Sequence, residues 1–219
     1  MRFAGSKRVS VSARRALGRL ALGGLALAAL AAPAAAQTYA ALPAVPSAAS
    51  VSGEARPISA WVTFCQSYAA ECAVDRSEPA SIALTPATWN TIVSVNRRVN
   101  KAVRAMTDMD HLSVPDRWDM AEDGIGDCED FQLLKRHMLA EAGLPRRAMR
   151  MTVVIDEKGE GHAVLTLITD RGDFILDNKT STVLPWRQTG YAFIKRESQD
   201  TVGWVSLGRA PSPTTTANR

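Results

Sequence analysis

Residues 126–145 read Gly-Asp-Cys-Glu-Asp-Phe-Gln-Leu-Leu-Lys-Arg-His-Met-Leu-Ala-Glu-Ala-Gly-Leu-Pro. Apolar side chains recur at Phe131, Leu134, Met138 and Ala142, with Leu133 beside them, the spacing of a helix with one buried face. Gly143 stands where a C-terminal cap belongs and Pro145 blocks continuation. The helix therefore opens at Asp127 and Cys128, with Asp127 as N-cap. Four backbone N–H groups lack intrahelical acceptors at such an end, and the helix dipole is positive there. Those surroundings favour a thiolate, the reactive form of cysteine. Taken by itself, the stretch has a plainer reading: a small buried cysteine among acids that suit a helix start.

Downstream of Pro145 the period changes from helical to alternating. Residues 149–155 form a β-rich run, 156–161 a turn cluster, 162–168 a second strand, 169–173 a turn and 174–177 a third strand. Alternation places His162, Val164, Thr166 and Ile168 on one face of the middle strand. Residues 191–195 and 202–207 add two further strands. Upstream, Thr85-Pro86 opens a long helix as N-cap and first helical residue. Trp89, Ile92, Val99, Val103 and Met106 mark its apolar face, with Val93 alongside and Asn96 interrupting. Residues 108–126 are an irregular segment rich in acids, long enough to suggest function. Helices followed by an antiparallel meander define the class as α+β.

Residues 1–36 have the layout of a secretory signal peptide: six basic residues and no acid, an apolar run from Leu20 to about Ala32, then Ala34-Ala35-Ala36. Export to the periplasm follows as an expectation. Removing them changes the charge balance from 26 basic against 22 acidic residues to 20 against 22, a net of −2. Nothing basic enough for a nucleic-acid footprint remains. The 183 residues left (219 minus 36) suffice for one domain. Residues 37–57 read as a flexible mature N-terminus, 58–207 as the domain, and 208–219 as a disordered tail. For three cysteines in an oxidising compartment, the simplest arithmetic is one Cys65–Cys72 bridge and one free thiol, Cys128. The alternative is three reduced, packed cysteines.

A cysteine at a helix start, a histidine opening a strand and an aspartate closing the next strand make a nucleophile, a base and a group that orients the base. On these grounds Cys128, His162 and Asp177 are the candidate catalytic residues. A rough register puts His162 and Asp177 close to opposite one another, and the Cys128 N–H is available to an oxyanion. His111 is a weaker candidate, His137 lies too far along its helix, and Asp173 is a rival orienter better explained by the turn.

Three motifs carry a resemblance: Gly-Asp-Cys-Glu-Asp-Phe at 126–131, Gly-Glu-Gly-His-Ala-Val-Leu-Thr at 159–166 and Phe-Ile-Leu-Asp-Asn at 174–178. Val-Asn-Arg-Arg-Val-Asn at 95–100, Val-Pro-Asp-Arg-Trp at 114–118 and the Cys65/Cys72 pair accompany them. As a set they resemble the bacterial transglutaminase-like cysteine proteinases, over about residues 58–207. The resemblance implies a papain/transglutaminase-like fold, a cysteine protease activity, and the roles just given to Cys128, His162 and Asp177. It implies Ca²⁺ as cofactor, held through Asp127 and Glu129 with Asp130 a less certain ligand. Chemistry agrees, because three carboxylates beside Cys128 oppose a thiolate and a hard cation would cancel them. It further implies a protein substrate, a large surface adhesin cut to release biofilm cells, and an inhibitory membrane receptor that senses cyclic di-GMP. A monomer is expected. Two other readings keep the same residues: amide transfer to an amine, and a non-enzymatic calcium-binding module.

Overall fold

The computed structural model describes Gln37, residues 47–208, Pro213 and Thr216. The targeting segment read at 1–36 lies outside the described residues. In chain order the elements are β1 (Glu54–Ala55), α1 (Ser59–Ser67), α2 (Ala69–Cys72), α3 (Pro86–Ala102), β2 (Arg104–Ala105), α4 (Asp108–Leu112), β3 (Ile125–Gly126) and α5 (Cys128–Glu141). Then follow β4 (Met149–Ile155), β5 (Gly161–Thr169), β6 (Gly172–Leu176), β7 (Leu184–Pro185), β8 (Ala192–Glu197) and β9 (Trp204–Ser206). Seven strands form one antiparallel sheet in the order β1-β9-β8-β4-β5-β6-β7. The α+β class expected from the sequence is the class observed.

The two-residue period sorts the sheet into two faces. Met149, Met151 and Val153 of β4 with Leu165 and Leu167 of β5 join the main core, which also contains Trp89, Ile92 and Val99 of α3 and Leu133 and Leu139 of α5. Val154, Val164, Ile175 and Phe193 form a smaller cluster of their own, and Thr152 and Thr166 share a 2.6 Å hydrogen bond.

Helix α3 starts as its sequence dictates, with the Thr88 N–H donating to Thr85 Oγ1 at 3.1 Å and Pro86 in the first turn. Asn96, which interrupts the apolar stripe, is buried and donates through Nδ2 to the Ser181 carbonyl at 3.1 Å. Helix α5 ends where expected: the Gly143 and Leu144 N–H groups bond back to the Ala140 and Leu139 carbonyls at 2.9 and 3.0 Å. Its burial differs from the amphipathic reading. Gln132, Lys135 and Arg136 are fully buried, while Leu134 and Met138 are only partly so. The reason is a buried ionic network. Arg136 Nη1 donates to Glu197 Oε2 at 2.6 Å, and Trp61 Nε1 to Glu197 Oε1 at 2.7 Å. This ties α5 to β8 and α1; desolvated charges persist only when paired in this way. Cys65 and Cys72 form a disulfide, with their Cα atoms 5.6 Å apart, and Cys128 is the free, buried cysteine.

Within residues 37–57, read as a flexible mature N-terminus, the described residues 47–57 meet the sheet: β1 pairs with β9, the Asp173 N–H donates to the Ser47 carbonyl at 2.9 Å, and the Ala49 N–H donates to Asp173 Oδ2 at 3.0 Å. Gly172 makes this approach possible. Its φ is +99°, and a Cβ there would stand 2.6 Å from the Ser47 backbone. In the tail read as disordered, Thr216 is completely buried, because both of its backbone polar groups are bound in the site.

Candidate active site

Cys128 is the first residue of α5, and its Sγ is fully buried. The Ala163 N–H on β5 points at that sulfur from 3.3 Å. Asp127 and Asp130 build the helix start as a reciprocal capping box, with the Asp127 N–H donating to Asp130 Oδ2 at 3.2 Å. Gly126 is needed for that closeness, since a Cβ there would lie 2.7 Å from Asp130 Cβ and Oδ2. Gly126→Ala should therefore destabilise the domain by about 1–3 kcal/mol, the usual cost of overpacking. A fall in Tm of roughly 5 °C by differential scanning fluorimetry would show it; an unchanged Tm would not fit this packing.

His162 lies on β5 opposite Val154 of β4 and is fully buried. Its Nε2 meets Asp177 Oδ1 at 2.9 Å, and its Nδ1 is buried with no hydrogen-bond partner. The expected register needs adjustment. Leu165 pairs with Leu176 and Thr169 with Gly172, so Asp177, the first residue beyond β6, falls across from Val164. It reaches His162 along the diagonal, a contact still within side-chain range. Burial works against the charged imidazole, but the Cys128 sulfur and the Asp177 carboxylate outweigh it and push His162 up to about 9.

Asp177 is itself held on every side. Its Oδ1 also accepts from the Lys179 N–H at 3.1 Å, and its Oδ2 from the Tyr191 hydroxyl at 2.6 Å. The Asn100 side chain donates to its backbone carbonyl at 2.9 Å. Burial pushes its carboxyl up, yet the bonds from His162, Tyr191 and Lys179 hold it below the usual aspartate value. The Tyr191 ring packs edge-on against His162, centroids 5.7 Å apart. Lys135 is buried near Asp177 and donates to Gln132 Oε1 at 3.2 Å; burial pulls its pKa down to about 7, against the pull of the Asp177 charge. Sequence reasoning missed Asn100, Tyr191 and Lys135. Only the Val-Asn-Arg-Arg-Val-Asn run pointed toward Asn100.

The other candidates go elsewhere. His111 pairs with Asp123 at 3.0 Å, and His137 Nδ1 with Glu71 at 2.8 Å. Asp173, read as a turn residue, is a buried β6 residue paired with Arg196 at 3.0 Å.

Asp127, Glu129 and Asp130, expected as one ligand set, are divided by the structure. Asp108, Asp127 and Asp130 bring carboxylate oxygens within 4.8 Å of one another, and so do Asp108, Asp116 and Glu129. Asp108, common to both groups, was not anticipated, nor was Asp116. The short parallel pairing of β2 with β3 brings Asp108 there, and its N–H donates to Asp127 Oδ2 at 3.4 Å. Asp130 is largely committed to backbone, accepting from the N–H groups of Asp119 and Asp127. Asp127 Oδ1, Glu129 Oε1 and Asp116 Oδ1 are buried without partners. Burial, followed by mutual repulsion, raises Asp127 to about 7, Asp130 to about 10 and Glu129 well above its ordinary value. Orphaned oxygens at these spacings fit a cation with oxygen ligands 2.3–2.6 Å away.

A buried thiol at a helix start, beside an imidazole braced by a carboxylate in an α+β fold, is the arrangement of a cysteine protease of the papain/transglutaminase type. Residues 51–211 match the family described as bacterial transglutaminase-like cysteine proteinase, BTLCP. The chain belongs to that family.

Among solved structures it is similar to Legionella pneumophila LapG, at 24% identity and a TM-score of 0.44, covering 50% of this chain and 64% of that one. It is also similar to calcium-bound LapG of the same organism (23% identity, TM-score 0.49, covering 61% and 76%). For the EGTA-treated form the figures are 24%, 0.47, 56% and 68%. The first match thus spans less than two-thirds of its counterpart's length. Comparison with curated proteins gave no match.

Proposed function

We propose that this chain is an exported, periplasmic cysteine endopeptidase, acting as a monomer on a protein substrate, with Cys128 as nucleophile, His162 as base and Asp177 as the residue that orients the base. The observation that carries the reading is the His162 ring. One nitrogen is bonded to Asp177 at 2.9 Å, and the other is free for a thiol that already perturbs the ring.

In the first half of the reaction, His162 Nδ1 holds the proton taken from the thiol, and the Cys128 thiolate attacks the peptide carbonyl. N–H groups of the first turn of α5 face the developing oxyanion. Protonated His162 then delivers its proton to the leaving amine, and a thioester remains on Cys128. In the second half, His162 activates water to hydrolyse the thioester. General acid–base catalysis of this kind contributes about 10²–10⁴-fold.

Asp108, Asp116, Asp127 and Glu129, with Asp130 behind them, would hold Ca²⁺. Bound there, it would supply the positive charge that offsets the carboxylates flanking the nucleophile. The three orphaned buried oxygens support this assignment. A large surface adhesin as substrate, release of biofilm cells as outcome and a membrane receptor as inhibitor rest on the family resemblance alone.

The test is a peptide library derived from a bacterial proteome, incubated with the protein, calcium and a labelled primary amine. New peptide N-termini should form with wild type and not with Cys128→Ala. Amine incorporation without new N-termini would replace hydrolysis by amide transfer.

A further inference from the structure

Thr216 is bound in the site by both ends of its backbone. Its carbonyl accepts from Cys128 Sγ at 2.6 Å, and its N–H donates to the Asp116 carboxylate. The residue has no exposed surface, and its hydroxyl is buried without a partner. A hydroxyl left unsatisfied in this way works against burial, so the backbone contacts hold the residue in place. Thr216 and Glu129 Oε2, the latter 3.1 Å away, both lie against the sulfur. The Thr216 carbonyl therefore stands against the nucleophile.

The sequence around Thr216 suits such a role. Residues 210–218 read Ala-Pro-Ser-Pro-Thr-Thr-Thr-Ala-Asn, without a charge or a large apolar side chain, and Arg209 and Arg219 flank them. Such a stretch has no hydrophobic reason of its own to be buried.

We propose that Thr216 is an internal, substrate-like occupant of the catalytic cleft, which blocks Cys128 until a protein substrate displaces it. The proposal rests on the cysteine endopeptidase reading of the same site and deepens it. The cleft holds Thr216 through its main chain, with Asp116 accepting its N–H. The residue presented to Cys128 is small, as Thr216 is, and lies in a stretch free of acids.

The test compares the full chain with two variants, one lacking residues 209–219 and one carrying Thr216→Arg, which is too large for the closed subsite. Iodoacetamide modification of Cys128, followed by intact mass, reads access to the sulfur without requiring turnover. Both variants should react at least tenfold faster than the full chain. A synthetic peptide of residues 209–219 added to the truncated chain should restore protection. Equal rates in all three proteins, or no protection by the peptide, would overturn the proposal. Faster modification without peptide cleavage by any of the three would leave the occupant in place and refute the peptidase reading instead.

Discussion

Cys128→Ala is expected to lower peptide-bond cleavage by at least about 10⁴-fold while leaving the domain folded. No other group in the site can form the thioester, and loss of a nucleophile that acts with its base typically costs 10⁴ or more. The side chain is fully buried in a close-packed setting, so removing one sulfur leaves a small void that costs about 1 kcal/mol. That corresponds to a Tm change of roughly 2–4 °C for a domain of this size. Initial rates on a cleavable peptide, together with differential scanning fluorimetry, check both halves. Residual activity above one per cent would contradict the assignment of Cys128.

The second large effect is a calcium- and pH-dependent stability. Asp127 and Asp130 have folded pKa values raised to about 7 and about 10 from an ordinary 3.8, first by burial and then by neighbouring carboxylates. A raised carboxyl favours the folded state while it is protonated, and that contribution fades as pH rises through the folded value. In chelator, Tm should therefore fall between pH 5 and pH 8, with Asp127 alone contributing roughly 3 kcal/mol to the loss. A bound cation replaces the protons. At 1,000 times its Kd, Ca²⁺ should add about 4 kcal/mol, near 10 °C in Tm. The gap between calcium and chelator should widen toward pH 8. Scanning calorimetry at pH 5, 6.5 and 8 measures it, and a Tm indifferent to both variables would remove the cation from the site. Asp108→Asn should shrink the calcium effect, because Asp108 belongs to both carboxylate groups.

What the sequence could reveal followed from periodicity. Strands β4 and β5 alternate cleanly, and α3 and α5 carry their own stop and start residues, so the α+β class and the position of Cys128 at a helix start were readable from residue types. Asp108 was not. It lies 19 residues before Asp127, and a two-residue parallel pairing, in which the Arg104 and Met106 N–H groups reach the Gly124 and Gly126 carbonyls, brings the two together. So short a pairing has no sequence period. The burial of Lys135 and Arg136 was not legible either, because charge normally marks exposure. Here Glu197, on a strand 61 residues away, pairs with Arg136 and allows that side to be buried. Tyr191 and Asn100 brace Asp177 from a distant strand and a distant helix, contacts set by the sheet order rather than by any local pattern. Thr216 lay in a polar, Pro-rich tail whose composition indicates only the absence of a core. Its burial depends on backbone groups, which every residue carries and no composition reveals.

The most direct test of the proposed mechanism is the titration of His162. NMR of its Cε1–H signal should follow wild type and Cys128→Ala from pH 5 to pH 10. If sulfur and imidazole act as a pair, the wild-type ring stays protonated to about pH 9, as the neighbouring sulfur and Asp177 require, and Cys128→Ala shifts the midpoint down by at least one pH unit. The same midpoint in both proteins would show that Cys128 and His162 do not work together, and would contradict the mechanism.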